Sequence, residues 1–131
     1  MKKDGIQNES ILRLMGSIGH TDRFVVCDVG LPVPKGVEKI DMAVVKGIPT
    51  FMQVLKPLAE EMVFEKLILA KEILDGNPDI YEGIKSLCGD IPIEFVTHEE
   101  FKKLTADAKA IIRTGEVTPY ANVIIQAGVN F

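Results

Sequence analysis

With 131 residues, 47% of them hydrophobic and 26% charged, the chain has the composition of one folded domain spanning residues 1–131. Its formal net charge is −4, with both signs interspersed and no basic block, which argues against a nucleic-acid partner. No apolar run approaches the ~18 residues of a membrane span, so we expect no membrane association and a cytoplasmic location.

Hydrophobic periodicity in the first half of the chain predicts alternating helices and strands. Asn8 and Ser10 are both good capping residues for the first helix, and Gly19 is placed to end it in a left-handed conformation. The apolar run that ends at Cys27 is typical of a parallel strand buried on both faces. The predicted elements are a helix over residues 9–18, a strand over 24–27, a short strand over 37–42 and a helix that begins after Thr50.

Pro57 falls inside the helix that is predicted to begin after Thr50. A proline in a helix interior removes one hydrogen bond and clashes with the carbonyl four residues back, which costs about 3 kcal/mol. We therefore expect a kink or a break in this helix near Lys56.

The second half of the chain continues the alternation of strands and helices. Pro78 suits the first turn of a helix that Gly89 ends, and Thr97 is placed to cap a short helix. The predicted elements are strands over residues 67–70, 91–96, 108–112 and 122–128, helices over 78–87 and 99–104, and a turn-rich loop over 113–120. This order predicts an α/β fold, a single three-layer domain with a mostly parallel sheet flanked by helices.

Polar side chains follow several of the predicted strands. Asp28 and His98 come directly after strands, and Tyr120 and Asn122 lie at the end of the turn-rich loop. Right-handed crossovers bring the carboxyl ends of parallel strands to one sheet edge, so we expect these groups to lie together, with His20 folding over from a nearby loop. Imidazole, carboxylate, phenol and amide groups suit a polyhydroxylated ligand and proton transfer near neutral pH.

Several of the polar residues in these loops also have a purely structural alternative. His20 could be a surface residue that follows a helix cap, and Tyr120 could pack on the core. Asn122 could satisfy a backbone group at the start of the last strand. Arg113 could form a salt bridge with Glu116.

Other kinds of site are not indicated. The sequence lacks the glycine-rich phosphate-binding motifs and a nucleophile elbow. It therefore predicts neither a nucleotide-binding site nor an acyl-enzyme mechanism. The two histidines stand far apart without metal-ligand spacing, so no metal site is predicted. Cys27 and Cys88 are typical of structural thiols in a reducing compartment.

Six short motifs occur in an order that is typical of one family of sugar enzymes. They are Gly-His20-Thr-Asp-Arg-Phe-Val-Val-Cys-Asp28-Val-Gly-Leu-Pro, Ile40-Asp-Met, Gly47-Ile-Pro, Thr97-His98-Glu-Glu-Phe, Ile112-Arg-Thr-Gly-Glu-Val-Thr-Pro-Tyr120-Ala-Asn122 and Gln126-Ala-Gly-Val-Asn-Phe131. In this joint order they closely resemble the D-ribose pyranase family, and the resemblance spans nearly the whole chain. Fucose mutarotase is the sibling family with the same fold.

The resemblance implies an enzyme without a cofactor or metal that interconverts the pyranose and furanose forms of D-ribose and supplies the furanose for phosphorylation. By position, it makes His20 the proton donor. It assigns sugar contacts to five further residues, namely Asp28, His98, Tyr120, Ala121 and Asn122.

The resemblance also implies a ring-shaped homo-oligomer, a decamer of two stacked pentamers with sites at the subunit boundaries. A mean hydropathy of +0.18 without any Trp agrees with surface that is buried between subunits. We expect Tyr120 and Asn122 to complete a site whose His20 and Asp28 belong to a different chain.

The residues support the implied reaction independently. Opening a hemiacetal requires a proton on the ring oxygen and loss of one from the anomeric hydroxyl, and an imidazole with a reference pKa of about 6.5 can do either. Asp28 could hold His20 in one tautomer or bind a sugar hydroxyl, and the sequence leaves both roles open.

Three other functions remain open from the sequence. A fucose-type mutarotase would use the same chemistry on another sugar. A sugar-binding or regulatory module would use His20 as a ligand contact or a phosphoacceptor without turnover. A sugar-phosphate isomerase would need a cationic phosphate pocket, for which only Arg113 is an obvious candidate.

Overall fold

Six strands form one sheet in the computed structural model, which describes residues 1–131. In chain order they are β1 (Arg23–Cys27), β2 (Glu38–Asp41), β3 (Phe64–Ala70), β4 (Ile93–Val96), β5 (Ala110–Arg113) and β6 (Val123–Ala127). They lie side by side as β2-β5-β1-β6-β3-β4. The neighbouring pairs are parallel except those of β6, which runs antiparallel to β1 and β3.

Five α-helices and one 3₁₀ turn accompany the strands, with the first helix before β1 and the others between β2 and β5. The helices are α1 (Glu9–Ser17), α2 (Phe51–Glu61), α3 (Ile73–Gly76), α4 (Pro78–Cys88) and α5 (His98–Leu104), and the 3₁₀ turn is Thr105–Asp107. The side chains of Asn8, Thr50 and Thr97 accept backbone N–H groups at the starts of α1, α2 and α5, which confirms the predicted caps. None of the helices is long and apolar enough to cross a membrane.

The sheet separates two hydrophobic cores. Alternate residues of β1 point to opposite faces, so Phe24 and Val26 pack with α1, α2 and α4, whereas Val25 and Cys27 pack on the other face, where Phe101 of α5 is buried. All four of these β1 residues are completely buried. The predicted α/β fold, with a mostly parallel sheet between helical layers, is confirmed.

Helix α2 continues through Pro57 as one helix, so of the predicted kink or break near Lys56 the break is wrong. Leu55 and Leu58, on either side of the proline, are buried in the larger core. Burying two such side chains contributes about 3–6 kcal/mol, which offsets the roughly 3 kcal/mol that an interior proline costs. A capping box between Thr50 and Gln53 also holds the start of the helix.

The end of α1 also differs from the prediction. The helix ends at Ser17 with Ile18 as an extended C-cap, and Gly19 is not left-handed. The left-handed residue of this connection is Thr21, with φ 69°. Asp22 fixes the turn instead, because its carboxylate accepts the Gly19 N–H at 2.7 Å.

Candidate active site

A cleft of about 470 Å³ lies beyond the carboxyl end of β1. It is lined by Asp28, Gly30, Leu31, Pro32, His98, Lys102, Pro119 and Tyr120. Three of the six predicted site residues therefore line one cleft, at the sheet edge where parallel strands present ligand sites.

Asp28 is held in this cleft by two donors. One carboxylate oxygen accepts the Gly30 N–H at 2.9 Å, and the other accepts the side-chain amide of Asn122 at 3.1 Å. The Asn122 carbonyl oxygen in turn accepts the Asp28 backbone N–H at 2.8 Å. Because Asn122 is buried and bonds to Asp28 through both ends of its amide, it orients the carboxylate. Ala121 beside it is fully buried in the core.

His98 and Tyr120 face each other across the cleft. Their rings pack edge to face with centroids 5.2 Å apart, and the Phe101 ring stacks beneath the imidazole at 6.5 Å. The His98 backbone N–H donates to the Glu72 carboxylate at 2.9 Å, which fixes the start of α5. Nδ1 of His98 is buried without a hydrogen-bond partner, so aromatic packing rather than hydrogen bonding sets the position of the ring.

The loop that carries Tyr120 is held from two sides. The Asn77 side-chain amide donates to Thr118 Oγ1 at 2.8 Å and to the Pro119 carbonyl at 2.9 Å. The buried Glu116 accepts the Phe51 N–H at 3.0 Å and the Thr118 hydroxyl at 2.9 Å. These bonds fix a turn-rich segment that lacks regular structure of its own.

Arg113 does not pair with Glu116. Its guanidinium donates to Asp41 Oδ2 at 2.9 Å and to the Val29 carbonyl at 3.0 Å, because the parallel pairing of β2 and β5 places Asp41 beside it. The alternative of an Arg113–Glu116 salt bridge is therefore wrong. With these partners Arg113 stabilises the loop that follows Asp28, and it does not line the cleft.

Lys102 lines the cleft, although the sequence analysis did not single it out. Its ammonium group contacts Glu99 Oε1 at 2.7 Å. Helix α5 begins at His98, so Lys102 lies one turn later on the same helical face. This spacing of four residues after a strand-end histidine is the sequence signal that could have identified it.

Gly76, the last residue of α3, lies against the Tyr120 ring. A Cβ at this position would stand 2.8 Å and 2.9 Å from two ring carbons, closer than real Cβ atoms approach other carbons. Tyr120 itself has φ 58°, a left-handed conformation that is uncommon outside glycine. The absence of a side chain at Gly76 thus allows the phenol to reach the cleft.

We expect Gly76→Ala to displace the Tyr120 ring and to weaken binding of a substrate in this cleft, raising KM several-fold. The matched control is Gly16→Ala in α1, where a Cβ would meet nothing within 4 Å. Both changes replace a helical glycine, which by itself favours folding by about 0.5–1 kcal/mol. Steady-state kinetics and thermal unfolding of both variants test this. An unchanged KM in Gly76→Ala would mean that the position of Tyr120 does not matter for binding.

His20 lies at the opposite end of β1. It lines a separate cavity of about 320 Å³, together with residues of α1, the end of α2 and the segment after β6. The five residues of β1 separate it from Asp28, which corresponds to roughly 17 Å at a strand rise of about 3.3 Å per residue. The expectation that His20 folds over to join Asp28 within one chain is therefore wrong.

The polar partner of His20 is Glu65, on β3. Nε2 of the imidazole lies 2.8 Å from Glu65 Oε2, and the other Glu65 oxygen accepts the Gln126 amide at 2.7 Å. The bond from Gln126, followed by the one with His20, lowers the pKa of Glu65 below its ordinary value. Within the chain it is thus Glu65, and not Asp28, that contacts the ring of His20.

Cys27 is not a candidate nucleophile. Burial, reinforced by the charge of Asp28, raises the pKa of its thiol to about 12, so the thiolate is scarce at neutral pH. No group of three or more His, Cys, Asp or Glu residues is arranged to hold a metal ion. The chemistry available at the two cavities is that of imidazole, carboxylate, ammonium and phenol groups.

The sequence matches the RbsD / FucU transport protein family over residues 1–130. A D-ribose pyranase of Geobacillus thermodenitrificans is 54% identical over 131 residues, which is 100% of this chain and 99% of the relative. The solved structure of Bacillus subtilis RbsD complexed with D-ribose has a TM-score of 0.97 and 51% identity, covering 100% of both chains.

A Streptococcus pneumoniae fucose mutarotase in complex with L-fucose is a more distant structural neighbour. Its TM-score is 0.81 at 22% identity, covering 95% of this chain and 94% of that one, so it shows a shared fold alone. The family match and the full-length similarity to D-ribose pyranases lead to the same assignment. The chain belongs to the RbsD / FucU transport protein family.

Proposed function

We propose that this chain is an isomerase that interconverts the pyranose and furanose forms of D-ribose and so supplies ribofuranose for phosphorylation. The observation that carries the proposal is the 54% identity, over the whole chain, to a protein named D-ribose pyranase. A protein of the same fold that binds D-ribose is 51% identical, whereas the fucose mutarotase is only 22% identical. Ribose is therefore favoured over fucose as the sugar.

The reaction needs only proton transfers. A protonated imidazole gives its proton to the ring oxygen as the bond from that oxygen to the anomeric carbon breaks, and the anomeric hydroxyl loses a proton to become the aldehyde. Closure through a different hydroxyl reverses these transfers and gives the other ring form. Positioned acid–base groups typically accelerate such steps by about 10²–10⁴-fold, so neither a metal nor a cofactor is required.

His20 is the proposed proton donor, and the cleft at the other end of β1 is the proposed sugar site. Asp28, His98 and Tyr120 line that cleft and offer a fixed carboxylate, an imidazole and a phenol to sugar hydroxyl groups. Asn122 supports it by orienting Asp28.

A site with all of these groups requires two copies of the chain. His20 and the cleft lie at opposite ends of β1, so the His20 end of one subunit must meet the cleft of its neighbour. Such a head-to-tail contact is heterologous, and its repetition gives a ring where the rotation between neighbouring subunits closes. Asp28 bonds to Asn122 of its own chain, so it belongs with the cleft and not, as expected from the sequence, with His20.

The number of subunits and the cellular location are also proposals. We propose a homodecamer of two stacked pentamers, on the family resemblance and on the head-to-tail geometry of the divided site. A cytoplasmic location is supported by Cys27 and Cys88, which are both buried and free.

We expect the wild-type protein to accelerate exchange between ribopyranose and ribofuranose, measured by NMR magnetisation exchange between their anomeric signals with and without protein. The acceleration should persist in the presence of EDTA, because imidazole and carboxylate groups supply the proposed chemistry. L-Fucose is the comparison sugar. Binding of ribose without faster exchange would favour the sugar-binding module, and a loss in EDTA that zinc restores would contradict the acid–base mechanism.

A further inference from the structure

The loop that carries His20 is anchored through its backbone. Asp22 accepts the Gly19 N–H at 2.7 Å and contacts the Lys109 ammonium group at 3.2 Å. The Thr21 N–H donates to the Ala127 carbonyl at 3.0 Å. These bonds place the Cα of His20 but leave its ring free to rotate, so the orientation of the imidazole depends on what its own nitrogens contact.

The ring makes one polar contact, with Glu65, and that carboxylate is itself held. Gln126 on β6 donates to Glu65 on β3, and its amide oxygen accepts from Arg23 on β1 at 3.0 Å. Arg23 and Gln126 are direct partners in the antiparallel pairing of β1 with β6. A line of hydrogen bonds thus crosses three adjacent strands and ends at Nε2 of His20.

The direction of donation along this line determines where the proton of His20 lies. Glu65 receives a hydrogen bond at each oxygen, and the lowered pKa keeps it ionised near neutral pH. An ionised carboxylate can only accept, so the contact with His20 requires a hydrogen on Nε2. Nδ1 has no hydrogen-bond partner within the chain.

We propose that Glu65 is a positioning residue for His20: it holds Nε2–H, so that Nδ1 is the nitrogen that exchanges a proton with the sugar. This inference rests on the proposed function, in which His20 serves the cleft of a neighbouring subunit. Glu65 lies outside the cleft of its own chain and contacts the His20 ring directly, so its role is to fix the tautomer and the direction of that ring. A single neutral tautomer leaves one defined nitrogen to carry the proton. Hydrogen-bond partners of metal-ligating histidines fix the tautomer in the same way.

The other two carboxylates near His20 are already engaged. Glu61 also lines the cavity, but its Oε1 accepts the Ile6 N–H at 2.7 Å. Asp22 is likewise bound to Gly19 and Lys109. Glu65 is therefore the carboxylate placed to orient the ring.

The test compares Glu65→Ala with Glu94→Ala, which removes another strand carboxylate, one that pairs with Lys66 away from both cavities. We expect Glu65→Ala to lower kcat about tenfold at unchanged KM, the scale seen when a partner that orients a histidine is lost. Glu94→Ala should change neither constant. Equal effects in both variants, or a wild-type kcat in Glu65→Ala, would refute the proposal.

The second readout is the ¹⁵N NMR spectrum of the neutral imidazoles. The chain has only two histidines, so only two imidazoles contribute signals. The wild type should show His20 as the single Nε2–H tautomer, whereas Glu65→Ala should bring its two ring-nitrogen shifts closer together as the other tautomer is populated. Unchanged shifts would refute the proposal. This readout is independent of turnover: if the wild type fails to accelerate ribose exchange, the proposed function fails, and the spectra still decide the role of Glu65.

Discussion

Replacing His20 with alanine is expected to slow ribose ring-form exchange by at least about 100-fold, the lower end of what a positioned acid–base group supplies. The fold should remain intact, because the His20 side chain is 52% exposed and lies outside both hydrophobic cores. The variant also loses the exposed contact with Glu65, which is an ion pair only while His20 is protonated, but exposed pairs contribute only about 0–1 kcal/mol. The free energy of unfolding should therefore change by less than about 1 kcal/mol.

Magnetisation exchange measures the activity, and chemical denaturation measures the stability. Arg13→Ala is a matched control, because it removes another exposed ion pair, with Glu38, at a distance from both cavities. It should retain wild-type exchange. If His20→Ala stays within a few-fold of the wild type, His20 is not the proton donor, and the chemistry must be assigned to the cleft itself.

Much of the fold could be predicted because its signals are local. A cap needs only one side chain and the N–H groups that follow it, so Asn8, Thr50 and Thr97 were identified from the sequence and each accepts the bond expected of it. Gly89 ends α4 with φ 59°, again as predicted. The sequence did not reveal that β6 runs antiparallel to its neighbours, because strand direction is decided by pairing between distant segments.

The site was harder to predict, for the same reason. Asp28 and Asn122 are 94 positions apart, and Glu65 is 45 positions from His20, so no sequence spacing connects either pair. Strand pairing brings each pair together. One error was avoidable: the strand predicted over residues 24–27 already places four residues, or roughly 13 Å at about 3.3 Å per residue, between His20 and Asp28, which precludes a direct contact within one chain.

Complementation between two inactive variants is the second prediction with a large expected effect. His20→Ala removes the proton donor and leaves the cleft intact, whereas Asp28→Ala damages the cleft and leaves His20 intact. When equal amounts assemble at random into mixed rings, about one boundary in four joins an intact His20 to an intact cleft. The mixture should therefore recover up to about a quarter of wild-type activity from two proteins that are each nearly inactive.

The control mixes Asp28→Ala with His98→Ala, two changes that fall on the same side of the boundary because both residues line one cleft. No boundary in these rings has an intact cleft, so this mixture should stay inactive. Mass measurement of isotopically labelled subunits verifies that mixed rings form in both experiments. If the first mixture assembles yet remains as inactive as its parents, or if the control recovers equally, then His20 does not act on the cleft of a neighbouring subunit. The roughly 17 Å between the two halves would then have to be closed by a rearrangement within one chain.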